Sequence, residues 1–182
     1  MKTESSAAYI ARLAITLLLI TAVVAAALAA VNSVTAPKIQ AINEQKTQTA
    51  IEAVLPGGGE EIAFTDDSGI VSTIYKGQSG YAVEVTPAGF NGTVTMMVGV
   101  DNSGKVLGIS IVNHTETAGL GAEAASEGAA GTAFRGQFAG LSGSVSVTKD
   151  GGQVDALTGA TITSRAVCTG VNAALNAVAK LG

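Results

Sequence analysis

Thr93-Val-Thr-Met-Met-Val-Gly-Val100, Asp101-Asn-Ser-Gly-Lys105 and Val106-Leu-Gly-Ile-Ser-Ile-Val112 follow one another in the chain, and their reading decides the fold. Two runs rich in β-branched residues flank a turn sequence containing Asn-Ser-Gly, the pattern of a β-hairpin. Upstream, Gly69-Ile-Val-Ser-Thr-Ile-Tyr-Lys76 and Gly80-Tyr-Ala-Val-Glu-Val-Thr86 read as two neighbouring strands, and Asp66-Asp-Ser-Gly69 as a second turn of the same kind. Downstream, Asn113 to Gly143 is rich in glycine and alanine with little periodicity, apart from helical stretches around Gly121 to Glu127 and Ala133 to Phe138. Long irregular stretches inside compact domains are often functional. Val145-Ser-Val-Thr148 reads as a brief strand. From Ser164 to Leu181, Val167, Val171, Ala174, Leu175 and Val178 share one helical face. The expected fold class is α+β, an antiparallel sheet backed by helices, with no internal repeat and no second domain.

Outward toward the N-terminus the composition changes. No charged residue occurs from Leu13 to Pro37, and Leu13 to Val31 is an unbroken run of apolar residues and threonines. A helix rises about 1.5 Å per residue, so this run approaches the roughly 30 Å bilayer core. Thr16 and Thr21 can return their hydroxyl bonds to the preceding turn, which makes them tolerable in lipid. A cleaved signal peptide is the rival reading, with Lys2 and Arg12 as its basic region and Ala27-Leu-Ala29 as a cleavage site. Its apolar core would be longer than the usual 7–15 residues or so. Helical spacing also continues through Ile39, Ile42, Ala50, Ile51 and Val54, which favours a retained anchor. The expected organisation is a tail over 1–12, a transmembrane helix over 13–36, a juxtamembrane helix over 37–56 ending at Pro56-Gly57-Gly58-Gly59, and a domain over 57–182. Lys2 and Arg12 on one side nearly balance Lys38 and Lys46 on the other. The preferred orientation, by a slight margin, keeps the short N-terminus in the cytoplasm and exports the domain.

From Asn32 onward, 8 Lys and Arg stand against 13 Asp and Glu. An acidic chain with few aromatics repels a nucleic-acid backbone. One cysteine, Cys168, and one histidine, His114, are too few for a disulfide or for a zinc, haem or iron–sulfur site held by this chain alone. Any redox cofactor must then be organic. Cys168 reads as a packed small hydrophobe rather than a reactive thiol.

Asp155-Ala-Leu-Thr-Gly-Ala-Thr-Ile-Thr-Ser164 precedes the last helix. Gly159 and Ala160 leave the backbone uncrowded, and Thr158, Thr161, Thr163 and Ser164 supply hydroxyls close together. An N-cap at Thr163 or Ser164 would set free helical N–H groups beside them, a position suited to phosphate. The plainer reading is a helix cap alone, which leaves Thr158 and Thr161 unexplained.

Asp155-Ala-Leu-Thr-Gly-Ala-Thr161 resembles the flavinylation motif of the FMN-binding domain family, found in the G subunit of Rnf complexes and the C subunit of the sodium-pumping NADH:quinone reductase. His114-Thr-Glu-Thr-Ala-Gly-Leu-Gly121, at the end of the hairpin, resembles a second family loop, with Ala118 where proline is usual. The resemblance implies a covalent FMN joined by a phosphoester to Thr161, transferred from FAD by a flavin transferase. It makes Asp155, Thr158 and Gly159 the rest of the recognised motif, with Ala160 and Thr163 beside the attachment point. Leu120 and Gly121 are expected in the flavin's apolar wall, and Glu116 and Thr117 near the ring, although Glu116 reads equally as a solvated charge. His114 is expected to order the loop. Lys149 and Arg165 could approach the phosphate, as few surface cations do.

The resemblance further implies one subunit of a membrane translocase that couples electron transfer between ferredoxin and NAD⁺ to sodium or proton movement. Its partners would be the other subunits, the transferase and lipid. A single helix without intramembrane charge offers no ion path of its own. Two alternatives are a related anchored FMN-domain protein serving quinone or an extracytoplasmic reductase, and a non-redox anchored binding domain.

Overall fold

The computed structural model describes residues 6–66 and 68–181, so Lys2 of the tail and Asp67 of the expected turn lie outside the described residues. The chain divides into two compact units, Met1–Gln45 and Lys46–Gly182. Helix α1, Ser6–Val54, supplies all the described structure of the first unit and the opening turns of the second. Pro37 lies inside α1, where its ring removes one intrahelical bond, and the helix continues to Val54. Its N-terminal part is long and apolar enough to cross a membrane, and none of that apolar stretch is buried. Thr16 Oγ1 donates to Arg12 O at 2.8 Å and Thr21 Oγ1 to Leu17 O at 3.0 Å, so both hydroxyls are satisfied within the helix.

In the second unit, β1 (Glu60–Ile62), β2 (Val71–Lys76), β3 (Gly80–Val85), β4 (Val94–Asp101) and β5 (Val106–His114) form an antiparallel meander in sequence order. The expected hairpin is β4–β5. Its turn closes on the Asp101 carboxylate, which accepts from Ser103 N, Ser103 Oγ and Lys105 N at 2.7–2.9 Å. These hydrogen bonds hold the Asp101 carboxyl below the usual range, the Lys105 amide contributing most. Asp66 does the same work before β2. Its carboxylate accepts from the amides of Ser68, Ile70 and Val71 at 2.9–3.1 Å and from the Ser68 hydroxyl.

Successive side chains of a strand point to opposite faces, and β4 is buried on both. Met96, Val98 and Val100 face a large core completed by helix α3 (Thr161–Leu181) through Val167, Val171, Ala174 and Val178. Met97 faces Ala50, Ile51, Val54 and Leu55, the end of α1 and the residue after it. Helix α2, Ala129–Gly136, adds Phe134, whose ring meets Phe138 edge to face at 5.4 Å.

Several local expectations need correction. β1 was not anticipated, because Glu60-Glu-Ile62 has no strand pattern of its own and exists by pairing with β2. Val145–Thr148 is no strand. It makes one parallel bridge, Val147 to Val154, while the Asn172 side chain of α3 takes both the amide and the carbonyl of Val145 at 2.8 Å. The helical stretch after Gly121 is a 3₁₀ turn, Gly121–Ala125, and α2 begins earlier than expected.

Gly99 of β4 lies so close to α1 that an added Cβ would stand 2.3 Å from Val54 O and 2.9 Å from Val54 Cβ. Gly99→Ala must therefore lift the end of α1 from the sheet. The expected loss is about 1–3 kcal/mol, as for other overpacked cores, read as a lower unfolding midpoint of the full chain in detergent. A second expectation concerns pH. Asp66 is held at about 2, against an ordinary 3.8, chiefly by the Ser68 hydroxyl. A depressed carboxyl stabilises above its unfolded pKa and loses that contribution as pH falls through the folded value. The stability difference between the wild type and Asp66→Asn should then be constant at neutral pH and shrink between about 4 and about 2.

Candidate functional site

The loop before β4, the segment after β5, the 3₁₀ turn Thr148–Asp150 and the start of α3 converge on a cleft of about 320 Å³. It is lined by Glu116, Thr117, Leu120, Gly121, Gly159, Ala160, Thr161 and Thr163 from the sequence-derived set, together with Phe90, Lys149 and Ile162. Asp155 and Thr158 do not join them: they line an adjacent cleft of about 430 Å³ against α2. His114 lines neither of these clefts.

Glu116 holds the site together. It is only 8% exposed, and its two carboxylate oxygens receive three donors. Oε1 accepts from the amides of Phe90 and Asn91 at 2.9 and 3.1 Å, and Oε2 from the Thr163 hydroxyl at 2.5 Å. Glu116 is therefore no solvated charge. Asn91 and Thr115 reinforce the junction, with Asn91 Nδ2 donating to Thr115 O at 2.8 Å and Thr115 Oγ1 to Asn91 O at 2.9 Å. Gly121 is needed beside them, because a Cβ there would stand 2.5 Å from both Glu116 Oε2 and Thr163 Oγ1. The side chain of His114 takes no visible part in this ordering. Its Nδ1 is buried without a hydrogen-bond partner among the described residues.

α3 begins two residues before the earlier of the expected caps. Gly159 takes a positive φ of 74°, and the first helical bond runs from Ser164 N to Ala160 O at 3.0 Å. Ser164 is buried inside the first turn, donating to Ala160 O and accepting from Leu157 N. Thr163 is engaged by Glu116, so neither residue caps the helix. Of the four hydroxyls, Thr161 is the one left at the cleft with a cation beside it, Lys149 Nζ at 3.2 Å. The Asp155 backbone is fixed by Gln137, whose side-chain amide accepts from Asp155 N at 2.7 Å and donates to Asp155 O at 3.2 Å.

Phe90, 67% exposed, had not been singled out, since the Phe90-Asn-Gly92 loop has no periodicity, although a lone aromatic before a glycine turn is a weak surface signal. Arg165 does not line the cleft; it pairs with Asp150. Cys168 is buried, and desolvation pushes its thiol up to about 11, which makes it inert at neutral pH. The exposed apolar side chains Phe90, Leu120 and Ile162, with a hydroxyl and an ammonium among them, suit a flat aromatic ring that carries an anionic tail. That is the chemistry of FMN, and the cleft volume lies at the lower end for small-molecule sites, roughly 300–1,000 Å³.

The FMN-binding domain family matches residues 89–176, from the Phe90 loop through most of α3. The chain is 32% identical to the G subunit of the ion-translocating oxidoreductase complex of Methanosarcina acetivorans, over 93% of this chain and 94% of that protein. It is 35% identical to the G subunit of the Na⁺-translocating ferredoxin:NAD⁺ oxidoreductase complex of Acetobacterium woodii, over 88% and 87%. Against the proton-translocating counterpart of Clostridium ljungdahlii it is 41% identical over 54% of this chain and 52% of that protein. With similarity at this level over most of its length, the chain belongs to the family of G subunits of ion-translocating oxidoreductase complexes, and it carries an FMN-binding domain.

Proposed function

We propose that the chain carries FMN as a phosphoester on Thr161 and relays electrons inside an Rnf-type complex that works between ferredoxin and NAD⁺. One observation carries the attachment reading. Of the hydroxyls in the Thr158–Ser164 run, Thr163 and Ser164 are consumed by buried hydrogen bonds, and Thr158 faces another cleft. Thr161 alone is presented to the apolar cleft beside a cation.

When bound, FMN supplies one- and two-electron transfer. The chain's own residues position it and limit its access to water. Phe90, Leu120 and Ile162 offer apolar surface to the ring, and Thr161 prevents the cofactor from diffusing away. The amides at the start of α3 and the helix dipole favour negative charge at that point. Glu116 acts behind this surface by holding the Phe90 loop against α3. Asp155 and Thr158, exposed along the second cleft, stay accessible to a flavin transferase that reads the motif. α1 anchors the domain through residues 13–36, with the N-terminus cytoplasmic and the domain outside, as an electron carrier without an ion path. Relatives named for sodium and for protons are both similar to this chain. The choice of ion accordingly lies with other subunits.

Coexpression with a flavin transferase and intact-mass measurement tests the attachment. The wild type should gain the mass of FMN less water, and Thr161→Ala should gain nothing while keeping its fold. An unchanged increment in Thr161→Ala would move the acceptor elsewhere. The role of Glu116 is tested by Glu116→Gln, which puts an NH₂ group against a hydroxyl or amide donor. The variant apoprotein should lose about 1–3 kcal/mol in a denaturant titration, the usual cost of stranding a buried polar group. Wild-type stability in Glu116→Gln would show that the three-donor arrangement does not hold the loop.

A further inference from the structure

Lys149 belongs to the 3₁₀ turn Thr148–Asp150, whose next residue is the left-handed Gly151. The neighbouring Asp150 carboxylate accepts from both Arg165 Nε and Nη2, at 2.7 and 2.6 Å. Arg165 lies one turn into α3, so this bidentate pair fixes the 3₁₀ turn to the helix that begins with Thr161. It also occupies the carboxylate that stands next to Lys149 in sequence. The second carboxylate of the neighbourhood, Glu116, has its oxygens filled by the Phe90 and Asn91 amides and the Thr163 hydroxyl. Lys149 is left as the one cation among the described lining residues, with its Nζ donating to Thr161 Oγ1.

An ammonium beside a lone threonine hydroxyl contributes little to stability at so exposed a place. Its geometry makes sense once that oxygen bears a phosphate. We propose that Lys149 is the phosphate-binding residue of this cleft, holding the flavin phosphate as Thr161 acquires it; this rests on the attachment reading above. In the transfer, Thr161 Oγ1 forms a bond to the flavin-side phosphorus of FAD. That phosphorus loses its bond to the bridging oxygen, which departs with adenosine monophosphate. The threonine proton passes to a carboxylate of the transferase or to water. Lys149 keeps its proton throughout and exchanges a neutral hydroxyl partner for the negatively charged phosphodiester, a charge-assisted hydrogen bond in place of an ordinary one.

The test uses the full chain in detergent, made without transferase and then incubated with purified transferase and FAD. The mass increment is followed in time for the wild type, Lys149→Met and Lys149→Arg, with thermal unfolding of each. Lys149→Met should be modified at least about tenfold more slowly, as expected for loss of one charge-assisted hydrogen bond. Lys149→Arg should recover most of the rate, and all three proteins should unfold at the same temperature. Modification of Lys149→Met at the wild-type rate, or an arginine variant as slow as the methionine one, overturns the assignment while leaving Thr161 as acceptor. A wild-type chain that gains no mass overturns the attachment reading and the role of Lys149 with it.

Discussion

A carboxylate can be buried only where its acceptor positions are filled, and Glu116 meets that condition with donors from two distant parts of the chain. Phe90 lies 26 residues before it and Thr163 lies 47 after it. Removing one partner would strand charge away from water, so the loop before β4, the segment after β5 and the first turn of α3 are coupled. The cleft is the space left between these three segments and the 3₁₀ turn that carries Lys149. Gly121 follows from the same constraint, since any side chain there would displace Thr163 from the carboxylate.

The sheet supplies the platform for this junction. β4 lies inside the sheet, between β3 and β5, and is buried on both faces, with the end of α1 packed on one and α3 on the other. α3 contributes both to the large core and, at its first residues, to the cleft. The position of Thr161 is therefore set by a helix whose later turns are locked into the core by Val167, Val171 and Ala174. The proposed attachment at such a point would give the cofactor that rigidity, which a loop attachment would lack.

Legibility in the sequence followed the range of the interactions involved. The β4–β5 hairpin was readable because Asp101 organises its own turn within four residues. The α+β class and the last helix were readable from periodicity. β1 was not, because two glutamates become strand only through β2, and Val145–Thr148 was misread because a side chain of α3 substitutes for a strand partner. At the cleft, Thr161 and its neighbours could be collected from a contiguous motif. The burial of Glu116 could not, since its donors lie far away in sequence. Phe90 was not legible because its Phe90-Asn-Gly92 loop has no periodicity. The start of α3 was misplaced because the side chain of Ser164 folds back to Ala160 and Leu157 instead of capping.

The electrostatics of the cleft also differ from what composition implies. The chain carries a net charge of −4, yet its proposed ligand is anionic. Charges more than a Debye length away, about 8–10 Å at physiological salt, are largely screened at a protein surface. Only the nearest groups then decide whether phosphate is tolerated. Of the carboxylates around the cleft, Glu116 has its oxygens filled by hydrogen-bond donors and Asp150 is paired with Arg165. A net negative chain is thus compatible with one ammonium beside Thr161. The pairing of Asp150 with Arg165 keeps that charge from being cancelled by its own neighbour.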